Sequence, residues 1–338
     1  MSKFSLDVLN EVVYPYFSQT DSDVVLGATF GEDVALTRIG KTLLASHVDP
    51  IVGAVQNIGW LAVHVACNDI ATCGAPPRWI QLLVLVPSEE DLDLLKGIMK
   101  DVARAAKEVG VAIIGGHTGY SASLSRPLVA VTAMGPIEDG KQVLTRGAQP
   151  GDHILITKGI PLEGTAILAY DFAETARKLG LTDADLAEAK GLMSQVSIIP
   201  EAMILAEHGA TAMHDVTRGG LLETLLEIAS LSEVEISVDY EQIPMPMVAQ
   251  RFASAFNFDP LKMISSGTLV AAIPEEKLAE AQQALEKAGI RCADIGIVNP
   301  GLGVNVAQDG QLTQYDVVHP ESDELARMWV DFSPDQSG

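Results

Sequence analysis

Read for the spacing of its apolar positions, the chain divides into two runs of strands and helices. In the first run, "VALTRIGKTLLASHVD" has the pattern of two strands turning near Gly40. Residues 57–73 follow as a helix in which Leu61, Ala62, Val65 and Ala66 form one apolar stripe, while Trp60, Val63, Cys67 and Ile70 cover much of the remaining surface. A helix that is apolar on nearly all sides must be enclosed by protein. Gly74 is placed to cap it. "RWIQLLVLVP" then reads as a strand. Residues 88–110 read as an amphipathic helix, with Ser88 as N-cap, Asp91 three residues on, a stripe of Leu95, Met99, Val102 and Ala106, and Gly110 as its stop. With "VAIIGG" and "LVAVTAMG" as further strands, the order β-β-α-β-α-β-β predicts an α+β sandwich rather than a purely parallel sheet.

The segment "TRGAQPGD" collects turn residues and predicts a boundary between a domain over 1–148 and another over 149–330. Beyond it, "HILITKG" is a strand and 163–191 is helical with a break near Gly180. The strands "VEISVDY", "GTLVAAI" and "RCADIGIV", with the helix "PEEKLAEAQQALEKAG", make the second half another layered α/β domain. Residues 331–338 are expected to form a flexible tail.

Charge changes this picture in one respect. Residues 1–150 hold 11 Lys and Arg against 16 Asp and Glu, and the remainder holds 11 against 29, so the halves carry −5 and −18 of the net −23. Such a chain is expected to bind no nucleic acid. No apolar run is long enough to span a membrane and no secretory signal is evident, so a cytoplasmic protein is expected. Cys67, Cys73 and Cys292 lack metal-ligand spacing and read as incidental thiols.

The chemistry begins with Asn68 and Asp69, near the end of the enclosed helix. A carboxylate there faces the negative end of the helix dipole, and burying it without compensation costs several kcal/mol. Its counter-charge is an arginine such as Arg78, a set of backbone amides, or a metal ion. "FGEDVAL" offers Glu32 and Asp33, and "SHVDPIVG" ends a strand with Asp49. Asp33, Asp49 and Asp69, from separate elements, could converge on Mg²⁺, although Asp33 and Asp49 also read as turn caps. "IIGGHTGY" places Gly115, Gly116, His117 and Thr118 where a backbone can approach a phosphate, as any tight turn also allows. Lys158 stands at a strand end, and Gly164 and Thr165 open a helix whose amides favour an anion. "MHDVTRGGLLETLLEIAS" sets Asp215, Thr217 and Arg218 before an amphipathic helix, which reads equally as an N-capped helix with a surface arginine. His117 and His214 read as hydrogen-bonding residues, since no second histidine stands at ligand spacing.

The ordered series "GEDVA", "HVDPIVG", "IGWLAVHVACNDIATCGAPPRW", "GGHT", "GAQPGD" and "HDVTRGG" resembles the AIR synthase (PurM-like) superfamily over about residues 25–300. The resemblance is closest to the branch containing the hydrogenase maturation protein HypE. It implies an N-terminal α/β sandwich that dimerises through its sheet and a C-terminal layered α/β domain, with ATP and Mg²⁺ in the cleft between them. Asp33, Asp49 and Asp69 are then metal ligands; Asp69, Asp215 and Asn68 are catalytic; Gly115, Gly116, His117, Thr118, Lys158, Gly164, Thr165 and Arg218 meet the nucleotide. The implied activity is ATP-dependent phosphoryl transfer to a carbonyl, amide or other oxygen of a small or protein-carried substrate. A non-catalytic nucleotide-binding partner in a maturation complex and a thiamine-monophosphate-kinase-like enzyme are the alternatives. Two departures stand out. "WVDFSPDQSG" holds no cysteine where HypE carries its substrate-bearing thiol, and His117 stands where several relatives have an acidic residue.

Overall fold

The computed structural model describes residues 4, 6–17, 21–51, 57–316, 323–332 and 334. After the single turn α1 (Leu6–Val8), the first domain contains β1 (Val24–Leu26), β2 (Ala35–Ile39), β3 (Thr42–Ile51), α2 (Ile58–Thr72), β4 (Trp79–Val86), α3 (Leu92–Val109), β5 (Ala112–Tyr120) and β6 (Leu128–Glu138). Its six strands lie in the order β1-β2-β3-β6-β4-β5. Only β4 and β5 run parallel, joined by the crossover through α3. The expected α+β layering is present, with β1 as an additional strand.

The second domain contains β7 (Asp152–Thr157), α4 (Glu163–Asp171), α5 (Ala173–Lys178), α6 (Asp183–Gly191), α7 (Ile199–Glu207), β8 (Ala212–Asp215), α8 (Gly220–Ser232), β9 (Glu235–Asp239), α9 (Met247–Phe256), β10 (Leu269–Pro274), α10 (Glu275–Lys287), β11 (Cys292–Asn299), β12 (Gly303–Gln308), β13 (Gln311–Tyr315) and α11 (Glu324–Asp331). Its seven strands are ordered β13-β12-β9-β11-β7-β10-β8. The strands β8, β12 and β13 were not anticipated from the pattern. β8 is only four residues long and wholly buried, so it shows no alternation; β13 is a short polar edge strand, and β12, paired between it and β9, buries only Val304 and Val306.

The helix α2 explains its own composition. One side packs on the first sheet through Ile58, Ala62, Ala66 and Ile70. The other side meets the second domain, where Leu61 and Val65 join Leu162, Leu168, Phe172 and Met263, and Ala71 joins Leu205 and Met213. The helix is apolar all round because it is the wall shared by both domains.

Ser88 does not cap α3. The helix begins at Leu92, and Ser88 instead closes a turn by donating its backbone N–H to Asp91 Oδ2 at 2.9 Å. The tail expected over 331–338 falls mostly outside the described residues. No helix among the described residues is long and apolar enough to cross a membrane.

Candidate active-site cleft

The two domains enclose a cleft of about 470 Å³. The first domain lines it with Asp33 from the turn before β2, His47 and Asp49 from β3, and Asp69 from α2; the second supplies His214, Thr217, Arg218, Glu227 and Glu163. His47 and Asp49 stand two apart in one strand and therefore share a face. Arg218 is the only lysine or arginine among the described residues that line the cleft. The second domain presents its residues by a tight turn. Gly219 and Gly220 both have positive φ, and a Cβ at Gly220 would come within 2.4 Å of the Leu261 carbonyl oxygen.

Asp69 is 5 % exposed, and its Oδ2 lies 3.2 Å from His47 Nε2. Arg78 is not its partner: that guanidinium stacks on Trp79, 4.6 Å from the ring centroid. His214 is enclosed by carboxylates. Its Nε2 is 3.3 Å from Asp33 Oδ1 and 3.1 Å from Glu227 Oε2, and its Nδ1 is 2.7 Å from the Asp215 carbonyl oxygen. Burial alone would push the imidazole pKa down, but Asp33, Glu227 and Asp215 together outweigh it and raise it to about 10. Burial raises the Asp33 carboxyl, and Asp33 Oδ2 is buried with no hydrogen-bond partner among the described residues. Glu163, the first residue of α4, is also pushed up by burial, to about 7, although the Ser266 N–H donates to its Oε2 at 3.2 Å. Arg218 holds Asp323 at 3.6 Å through Nε, while its Nη1 is buried without a hydrogen-bond partner among the described residues.

Eight of the expected site residues are placed elsewhere or otherwise engaged, and a ninth, Asp215, is wholly buried and does not line the cleft. Asn68 is fully buried between the domains: its Nδ2 donates to the Val196 carbonyl at 2.8 Å and its Oδ1 accepts from the Ile198 N–H at 3.0 Å. Both ends of that amide are consumed in docking the domains. Lys158 pairs with Glu201 at 2.6 Å and donates to the carbonyls of Gln195 and Ser197. It does not line the cleft. Gly164 donates its N–H to the Ile264 carbonyl, and Thr165 donates its hydroxyl to the Pro161 carbonyl, so the start of α4 offers no free amide at Gly164.

Gly115, Gly116, His117 and Thr118 lie on β5, an edge strand whose residues are nearly all exposed, and none of them lines the cleft. Gly116 is required there, because a Cβ would lie 2.0 Å from the Leu82 carbonyl oxygen on β4. Sequence reading passed over His47, Glu163 and Glu227. His47 has a signal in its two-residue spacing from Asp49; Glu227 has none, since it shares the more polar side of α8 with Glu223, Thr224 and Ser230. Burial pushes the Cys67 and Cys73 thiols up to about 12 and also raises the half-buried Cys292.

Two layered domains around an acidic interdomain cleft define a class also seen in sequence comparison. Residues 31–137 match the AIR synthase related protein N-terminal domain and residues 149–308 its C-terminal domain. The chain belongs to the AIR synthase related family, in a two-domain PurM-like fold. Among its relatives, the carbamoyl dehydratase HypE of Azotobacter vinelandii is 31 % identical over 77 % of this chain and 75 % of that protein. A putative hydrogenase expression/formation protein of Methanocaldococcus jannaschii is 29 % identical over 84 % of this chain and 83 % of its own. The crystal structure of the hydrogenase maturation protein HypE in complex with ATP superposes with a TM-score of 0.69 at 24 % identity, covering 93 % of this chain and 94 % of that one.

Proposed function

We propose that the chain binds ATP with Mg²⁺ in the interdomain cleft and transfers the γ-phosphoryl group to an oxygen of an amide-like or carbonyl substrate, small or carried by a partner protein. The observation that carries this reading is the convergence of Asp33, Asp49 and Asp69 from one domain with Asp215 and Arg218 from the other. These residues fit the metal. Mg²⁺ takes oxygen donors, and the cleft holds several carboxylates, including the unpartnered Asp33 Oδ2. Asp33, Asp49 and Asp69 would hold the ion. Bound there, Mg·ATP supplies a polarised γ-phosphoryl group and offsets the charge that develops on it.

The chain's own residues do the rest. Arg218 faces the anion with its free Nη1, and the buried Glu163 carboxyl takes up or holds the proton of the acceptor group. The apolar wall of Ile51, Val65 and Ile264 excludes water from the transfer. The relatives named for hydrogenase maturation favour a substrate presented in a maturation complex.

The same reading includes a homodimer formed at the first sheet. β5 is an unpaired edge strand that exposes Ile113, Ile114 and Tyr120, an arrangement that folds normally cover. Light scattering should give a mass near twice 35.9 kDa, and Ile114→Lys should return it to 35.9 kDa. For the site, Mg·ATP should raise the melting temperature and ATP with EDTA should not. An equal rise in both conditions would refute the metal-dependent site.

A further inference from the structure

The carboxylates of the cleft suit a hard cation, but His214 introduces a different kind of donor. It is 3 % exposed and lies on β8 at the join between the domains. Its Nδ1 is engaged at 2.7 Å by the Asp215 carbonyl oxygen, which accepts the ring N–H and leaves Nε2 facing inward. That nitrogen meets Asp33 Oδ1 at 3.3 Å and Glu227 Oε2 at 3.1 Å. One oxygen each of Asp33 and Asp215 and one ring nitrogen of His214 all fall within 4.8 Å of one another; the Asp215 carboxylate approaches from the Nδ1 side, at 3.8 Å, so the donors that face Nε2 are Asp33 and Glu227. Separations of 3.1 and 3.3 Å match donor spacings around an ion with bonds of about 2.0–2.2 Å. The buried, unpartnered Asp33 Oδ2 is a further oxygen donor in the same place.

We propose that His214 is a ligand of this cation site, and that its imidazole makes the site prefer a first-row transition ion such as Mn²⁺ over Mg²⁺. The proposal rests on the reading that these carboxylates hold a cation. Mg²⁺ is served by oxygen alone, whereas an imidazole among carboxylates strengthens binding of Mn²⁺, Co²⁺ or Zn²⁺ much more than that of Mg²⁺. The Asp215 carbonyl orients the ring from behind, as partners of metal-bound histidines do. Linear spacing could not reveal this donor set, because Asp33 and His214 are brought together only by domain docking. The other cation able to balance these carboxylates is the protonated ring itself, and a binding experiment separates the two.

The experiment uses the full chain without nucleotide. Mn²⁺ and Mg²⁺ are titrated by calorimetry, and bound Mn²⁺ is probed by pulsed electron paramagnetic resonance for a directly coordinated nitrogen. Mn²⁺ should bind about tenfold or more tighter than Mg²⁺ and show the nitrogen coupling. His214→Gln should lose that coupling and weaken Mn²⁺ by about tenfold or more, with Mg²⁺ changed much less; His47→Gln should keep the coupling. If His214→Gln fails to fold, the coupling and the Mn²⁺/Mg²⁺ ratio of the unaltered protein still decide. Bound Mn²⁺ without nitrogen coupling, coupling that survives in His214→Gln, or no preference over Mg²⁺ overturns the proposal. So does an absence of Mn²⁺ binding while the Mg·ATP melting shift persists, which would mean that the imidazolium fills the place. Loss of both would overturn the Mg·ATP reading as well.

Discussion

Asp69 closes α2 with its carboxylate turned to the cleft and His47 beside it; Lys158 follows β7 with its ammonium sealed between Glu201 and two carbonyls. Both are buried charges at the ends of elements, and both invite the same reading as nucleotide ligands. The difference lies in the counter-charge. Lys158 has a full complement inside the fold, since Glu201 lies 2.6 Å away and is itself 2 % exposed. Asp69 shares its cleft with Asp33, Asp49, Glu163 and Glu227, so its surroundings are dominated by its own sign. A charge balanced internally holds the fold together. A charge crowded by like charges calls for a cation from outside or for a proton.

The largest expected effect tests the balanced side. Lys158→Met leaves Glu201 buried without its partner and should destabilise the fold by roughly 3–5 kcal/mol in urea denaturation. The Mg·ATP melting shift of the folded variant should persist, and a lost shift would make Lys158 a nucleotide ligand after all.

Glu163→Gln tests the unbalanced side and should have the opposite sign. The folded-state pKa of Glu163 is about 7 against an ordinary 4.5, so between those values the folded protein binds more protons than the unfolded chain. Wild-type stability therefore falls as pH rises through that window, and the variant lacks this slope. The variant should exceed wild type by roughly 3 kcal/mol above pH 7 and match it below the ordinary carboxyl range. Urea midpoints across pH measure this. A variant less stable than wild type at pH 8 would show that Glu163 has an internal counter-charge.

Asp69→Asn should leave the apo protein within about 1 kcal/mol of wild type, because relief of repulsion offsets the lost His47 contact. It should abolish the Mg·ATP stabilisation, which is about 2.7 kcal/mol at a ligand concentration roughly 100 times Kd. Thermal denaturation with and without Mg·ATP reads both quantities. The smallest effect belongs to Arg78→Ala, which removes the stacking on Trp79 and should cost only about 0.5–1 kcal/mol. A loss of several kcal/mol would restore Arg78 as the partner of a buried carboxylate.

Much of the fold and part of the site can be read from local pattern. The all-round apolar face of α2, the strand pattern of β3 and β4, and the Gly110 stop of α3 show their neighbours' requirements directly in the chain. The enclosed Asp69 announces itself because a carboxylate near a helix C-terminus needs an explanation. Local pattern also placed Asp33, Asp49 and Arg218 at the element ends that meet in the cleft.

Partnership across the two domains is what only the tertiary structure decides. Asn68 looks like a companion of Asp69 in "CND", yet adjacent residues on a helix point in different directions, and its amide is spent on Val196 and Ile198, roughly 130 residues away. Lys158 at a strand end and Gly164 at a helix start look available for an anion until Glu201 and the Ile264 carbonyl are packed against them. His214 meets Asp33 only through docking of the second domain on the first. Backbone periodicity is a local property with a reach of a few residues, so the sequence by itself determines which faces are buried. Whether a buried charge finds its opposite is a sum over everything within a few ångströms, and that sum exists only once distant segments have been brought together.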